Sequence, residues 1–90
     1  MEKSIMFEPT ALRYVGLAKM HQILANNTKA VTAYERAAEL DGSKTNLRLL
    51  AEAYVMVKNW QSVEKTYHRI LDIDPNDRQA KARLSRAVKA

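Results

Sequence analysis

The residues able to do chemistry in this chain are few and scattered. His21 and His68 are the only histidines, they lie far apart, and cysteine is absent. A metal needs three or four converging ligands, so no metal site is expected. His21 falls on an apolar helical stripe and reads as a half-buried packing residue. His68 follows Tyr67, on the other side of its helix, and reads as solvated. Two close carboxylate pairs remain, Glu35 with Glu39 and Asp72 with Asp74. The first is expected on a solvated helix face and the second at a helix end, and neither belongs to an implied cleft. Trp60 reads as a packing or turn residue. Gly16 and Gly42, the only glycines, are isolated and cannot build a phosphate-cradling loop. No catalytic residue and no cofactor are therefore expected, and the chain is not expected to be an enzyme.

The elements that would position any site repeat along the chain. An offset of 33 residues superposes Tyr14 on Leu47, Leu17 on Leu50, Ala18 on Ala51 and His21 on Tyr54. It also carries Ala30 to Val63, Tyr34 to Tyr67, Ala37 to Ile70 and Gly42 to Pro75. Within each unit, apolar residues recur every three or four positions, as one face of a helix requires. Tyr14, Leu17, Met20 and Leu24 form one such face, and Leu47, Leu50, Tyr54 and Val57 form its counterpart. After the polar breaks Asn26-Asn27-Thr28 and Lys58-Asn59, second sets follow: Ala30, Val31, Tyr34, Ala37 and Ala38, then Val63, Tyr67, Ile70 and Leu71. Each unit is thus two helices and a tight turn. Thr28 is expected to N-cap the second helix of the first unit, and Ser62 or Asn59 that of the second. Gly42 suits a helix-terminating position of positive φ. Pro75 ends the helix before it, and Asn76 or Asp77 starts a fifth. The small residues Ala18, Ala30, Ala37 and Ala51 allow close approach of paired helices, and the four tyrosines fill the volume between units.

These spacings resemble the tetratricopeptide repeat (TPR): a large residue, Leu, a small residue and Tyr on the first helix, then small, aromatic, small and Pro on the second. Tyr14-x2-Leu17-Ala18-x2-His21 … Ala30-x3-Tyr34-x2-Ala37 … Gly42 is one copy. Leu47-x2-Leu50-Ala51-x2-Tyr54 … Val63-x3-Tyr67-x2-Ile70 … Pro75 is a closer one. His21 and Gly42 depart from the pattern. The resemblance implies an all-α fold, a right-handed α-α superhelix of about five helices. It divides into an N-terminal segment (1–10), repeat one (11–43), repeat two (44–77) and a capping helix (78–90) with a stripe of Ala80, Leu84, Ala87 and Val88. Phe7-Glu8-Pro9 aligns with Leu40-Asp41-Gly42 and Ile73-Asp74-Pro75, so the first segment resembles the end of a preceding repeat.

Such arrays bind partner proteins along a concave groove lined by the first helix of each repeat. The resemblance and helical phase together place Leu12, Val15, Lys19 and Gln22 there from repeat one. Thr45, Arg48, Glu52 and Val55 follow from repeat two, and Gln79, Arg83 and Arg86 from the cap. This is an apolar strip flanked by cations, suited to an amphipathic or acidic peptide or helix. One TPR subclass clamps the terminal carboxylate of heat-shock chaperones with Lys, Asn, Asn, Lys and Arg. This chain has Val15, Lys19, Leu49, Gln79 and Arg83 in those places, so only Arg83 agrees and that ligand is not expected.

Charge adds an alternative. The chain carries 15 basic and 10 acidic residues, a net charge of +5. The whole excess comes from Arg78, Lys81, Arg83, Arg86 and Lys89, which follow the last acid, Asp77. A basic terminal helix raises nucleic-acid or anionic-surface binding. However, it lacks interleaved aromatics, and cations near a helix C-terminus also oppose the macrodipole. Nucleic acid is therefore not the expected partner. A self-associating homo-oligomeric scaffold is the other alternative, suggested by the short array and the apolar patch Ile5-Met6-Phe7. No apolar run approaches the roughly 20 residues of a membrane span, and a cytoplasmic location is the expectation.

Overall fold

The computed structural model describes residues 10–89, with side-chain burial through Arg86. Within that range the chain forms five helices: α1 (Ala11–Ile23), α2 (Asn27–Leu40), α3 (Lys44–Met56), α4 (Trp60–Ile73) and α5 (Arg78–Lys89). Each packs on its neighbours in the sequence, the layout of an α-helical repeat solenoid. The expected patch Ile5-Met6-Phe7 and the end of the cap stripe, Ala87 and Val88, lie outside the described residues or side chains.

Each helix start is capped by a side-chain oxygen. Thr10 accepts from Arg13 N (3.2 Å), Asn26 from Lys29 N (3.5 Å), Ser43 from Asn46 N (3.3 Å), Asn59 from Ser62 N (3.4 Å) and Asp77 from Ala80 N (3.0 Å). The caps of α2 and α4 are therefore Asn26 and Asn59. Thr28 and Ser62 sit inside the first turns, where their carbonyls accept from the Thr32 and Thr66 hydroxyls.

The reason is the way the preceding helices end. Asn26 N donates to His21 O (2.7 Å) and Ala25 N to Gln22 O (3.0 Å); Asn59 N donates to Tyr54 O and Lys58 N to Val55 O, both at 3.0 Å. This double closure is the Schellman motif, which needs a left-handed residue at its penultimate position. Here that residue is Ala25 (φ 61) or Lys58 (φ 59). The closing residue, an asparagine each time, is then free to cap the next helix. Gly42 does not have the expected positive φ, which no glycine adopts. The turn at 41–43 is instead closed by Asp41 Oδ1, which accepts from Ser43 N, and by Asp41 O, which accepts from the Asn46 side chain at 2.9 Å. The turn after α4 repeats the first device, with Asp74 Oδ1 accepting from Asn76 N at 3.2 Å.

The core follows the repeat. Ala18, Ala30, Ala37 and Ala51 are fully buried, as close helix packing requires, with Tyr34, Tyr67, Leu47, Val63 and Ile70 as the large buried side chains. Each of these large groups contributes about 1.5–3 kcal/mol by leaving water. The first unit is less complete than its spacing suggests. Leu17 is 44% exposed whereas its repeat counterpart Leu50 is 3% exposed. Met20 and Leu24 are exposed as well. The cause is tertiary: α3 is sandwiched between α2 and α4, and α1 has no helix before it among the described residues. At the other end α5 turns Ala80 and Leu84 inward and leaves Arg78, Lys81, Arg83 and Arg86 in solvent.

Candidate protein-binding face

Helix geometry sorts the expected groove residues into three matching stripes. On α1, Leu12, Gly16, Lys19 and Ile23 are spaced i, i+4, i+7 and i+11, so they share one face; all four are exposed. The corresponding stripe on α3 is Thr45, Leu49, Glu52 and Met56, exposed except for a half-buried Leu49. On α5 it is Gln79, Arg83 and Arg86, all exposed. Ile23 (83% exposed) and Met56 (50% exposed) were not among the expected residues. Their signal was available, since each lies one turn beyond Lys19 or Glu52. Gly16 leaves a gap in the first stripe, because a Cβ placed there would meet nothing within 4 Å.

The remaining expected residues lie at the edge of these stripes. Val15 does not present its side chain to a groove: it is buried, 8% exposed, in the core with Ala18. Gln22, Arg48 and Val55 are half-buried. At about 100° per residue, Val15, Gln22, Arg48 and Val55 lie toward the packing face and away from the stripe centre. The helices are stitched together at this edge. Gln22 Oε1 accepts from the Tyr34 hydroxyl at 2.9 Å, and its Nε2 lies 3.4 Å from Met56 Sδ, joining α1, α2 and α3.

The next interval along the face is built differently. The Tyr67 hydroxyl is buried with no hydrogen-bond partner. Its counterpart Tyr34 bonds Gln22, but the 33-residue offset puts Val55 where Gln22 would be, and valine offers no acceptor. Burial pushes both tyrosine pKa values up, and the Glu52 carboxylate adds to the effect at each. At Tyr67 the neighbouring Arg83 guanidinium opposes the rise. Glu52 therefore acts on both tyrosines, with Arg48 and Arg83 around the second.

A charge cluster missed in the sequence fixes α5 to α3. Lys44 Nζ lies 2.9 Å from Asp74 and 3.1 Å from Asp77, and Arg48 Nη2 lies 3.4 Å from Asp77. The Lys44 hydrogen bond, helped by Asn76 N, lowers the Asp74 pKa; the Ala80 amide and then Lys44 lower that of Asp77. Hydrogen bonds to the two aspartates raise the Lys44 pKa. Arg48 is thus partly neutralised, which leaves Lys19, Arg83 and Arg86 as the exposed cations of the stripes.

The other candidate residues have structural surroundings. His68 is solvated and His21 half-buried, as expected. Glu35 is not simply solvated: it accepts from the Tyr54 hydroxyl across the α2–α3 interface. Burial first, and then this bond, raises the Tyr54 pKa strongly. Glu39 pairs with Arg36 on the surface. Asp74 ends α4, and Trp60, partly exposed, begins it.

Helix pairs with matching caps, turns and core positions define a helical-repeat protein. The tetratricopeptide-repeat family model matches residues 25–87, most of the chain, and the chain belongs to that family of protein-interaction modules. None of the curated proteins compared with the chain matches it. No helix among the described residues is long and apolar enough to cross a membrane.

Proposed function

We propose that the face formed by α1, α3 and α5 binds an amphipathic, acidic segment of a partner protein. In TPR arrays this is the concave side. The observation that carries the reading is the pairing of chemistries along the three stripes. Leu12, Ile23 and Met56 are large apolar groups left in water, and the exposed cations Lys19, Arg83 and Arg86 stand on the same faces. An incoming helix or strand that buried the apolar groups would bring its own acids to the cations. Gly16 leaves room for a partner side chain between Leu12 and Ile23. Among these residues Val15 serves as support and not as contact.

The test is a titration with two amphipathic peptides of identical apolar pattern, one bearing glutamates and the other lysines at the polar positions. The acidic peptide is expected to shift amide resonances of α1, α3 and α5. Its affinity should fall roughly tenfold or more in a Lys19→Glu, Arg83→Glu double variant, as paired charge reversals do at an interface. Equal binding of both peptides, or shifts confined to α2 and α4, would sink the proposal. Mixed-sequence single-stranded and duplex oligonucleotides at low salt form the other arm. Tight binding that weakens steeply with salt would replace a protein partner with a nucleic acid.

A further inference from the structure

The three stripes of the binding face hold one acid among their cations. Lys19, Glu52 and Arg86 each lie nine residues after the cap of their helix, at Thr10, Ser43 and Asp77. They therefore occupy one equivalent position on α1, α3 and α5, and all three are exposed. Across the face the row runs cation, acid, cation. None of the three forms an ion pair with another described residue. Arg48 stands one turn before Glu52 on α3, yet its guanidinium is held by Asp77. Glu52 is the middle charge in space as well as in order. Its carboxylate helps to raise the pKa of both Tyr34 on α2 and Tyr67 on α4, so its field reaches the intervals on either side of α3. A partner with acids at every polar position would suit Lys19 and Arg86 but would set one acid against Glu52.

We infer that Glu52 selects a partner helix whose acidic face carries one base, in the order acid, base, acid, opposite Lys19, Glu52 and Arg86. This rests on the α1–α3–α5 face being the binding surface, and it names the charge pattern that the surface distinguishes. The spacing suits a helix laid across the array. Side chains join α1 to α3 through Gln22 and Met56, and α3 to α5 through Arg48 and Asp77. Helices in such contact lie roughly 8–10 Å apart. Seven residues of a partner helix rise about 10.5 Å and return to the same side. An acid, a lysine or arginine seven residues later, and an acid seven residues after that meet the row in register. Screening keeps the three charges distinct. At 0.15 M salt the Debye length is about 8 Å, no longer than the step between helices, so each charge answers the group opposite it. A like charge at the middle position is then a local penalty, the means by which an interface rejects a wrong partner.

The experiment titrates the full chain with two helical peptides of identical apolar pattern. One carries glutamate at all three heptad-spaced positions, and the other carries glutamate, lysine and glutamate. At about 0.15 M salt the patterned peptide is expected to bind roughly three- to tenfold more tightly. Its advantage should shrink at about 0.01 M salt, where the Debye length is about 30 Å and the chain's net charge of +5 draws the more acidic peptide. Glu52→Gln should abolish the advantage and Glu52→Lys should reverse the order. Asp72→Asn, at an exposed position of α4, should leave the preference as it is in the wild type. Equal binding of the two peptides by the wild type, or a preference that survives Glu52→Gln, overturns the role of Glu52 and leaves the acidic-partner reading standing. Binding of neither peptide removes both. The wild-type comparison decides without any variant, so a loss of helicity in one of them cannot hide the answer.

Discussion

Ala25 is held at φ 61 by the closure of α1 onto Asn26, a conformation that costs an L-residue roughly 1–2 kcal/mol through its Cβ. Glycine removes that cost but adds unfolded-state freedom worth about 0.4–1 kcal/mol. The difference predicts that Ala25→Gly stabilises the protein by about 0.5–1 kcal/mol. For a domain of this size that raises the melting temperature by roughly 2–8 °C. Lys58→Gly removes the same strain at φ 59, but it also discards a cation at a helix C-terminus, a favourable position worth about 0.3–1 kcal/mol. Its gain should be the smaller of the two. Urea unfolding followed by far-ultraviolet circular dichroism and by Trp60 fluorescence measures both, with an unchanged slope showing that only stability has moved. Gly42→Ala is the internal control. Gly42 lacks positive φ, and an added Cβ lies 3.5 Å from Ala38 O, an ordinary contact. This substitution should stabilise by about 0.4–1 kcal/mol. A loss of stability in Ala25→Gly together with a loss in Gly42→Ala would refute the assignment of the two turn types.

The repeat-related tyrosines should respond in opposite directions. Tyr34→Phe loses the bond to Gln22 and should cost about 0.5–1.5 kcal/mol, more if the glutamine stays buried. Tyr67→Phe removes a buried hydroxyl that has no partner and should be neutral or stabilising in the same urea assay. Gly16→Ala, at an exposed helical site with open space around the new methyl, should add about 1 kcal/mol. The Lys44, Asp74 and Asp77 cluster sets a pH dependence with two limbs. The depressed aspartates contribute fully above their ordinary pKa of 3.8, and their contribution fades as pH falls below it. The raised Lys44 contributes fully below 10.5 and fades above. Urea midpoints measured across pH should therefore fall at both extremes, and Lys44→Met should flatten both limbs; unchanged limbs would remove the cluster from the account.

Much of the fold was legible because the information is periodic. Apolar spacing, small residues at Ala18, Ala30, Ala37 and Ala51, and Pro75 after α4 each act within a turn or two of the residue that carries them. The caps were less legible for a physical reason. Thr28, Asn26, Ser62 and Asn59 are all competent cap residues, and intrinsic preference does not choose among them. The choice falls to the Schellman closure, which makes Asn26 and Asn59 the first residues outside the preceding helices. Gly42 misled for the related reason that glycine permits positive φ without requiring it. The turns that do require it are occupied by Ala25 and Lys58.

The surface was legible in phase and not in depth. Spacing alone places Lys19, Glu52 and Arg86 on matching stripes. Whether a border residue is covered depends on its neighbours across the helix interface. Val15 and Arg48 occupy the same repeat position, yet the apolar one sinks into the core beside Ala18 while the cation stays half-exposed and reaches Asp77. Leu17 and Leu50 make the converse case, the same residue type at the same position with opposite exposure. A repeat array assigns each position a role, and the presence or absence of the next helix decides whether that role is fulfilled. Among the described residues, the α1–α3–α5 face and the Tyr14–Leu17 cavity both leave large apolar side chains exposed. The cavity sits at positions that α2 covers one repeat later, where Glu35 accepts from the Tyr54 hydroxyl. The open face repeats no internal contact, so only the chemistry of its stripes, apolar with cations beside, specifies what binds there.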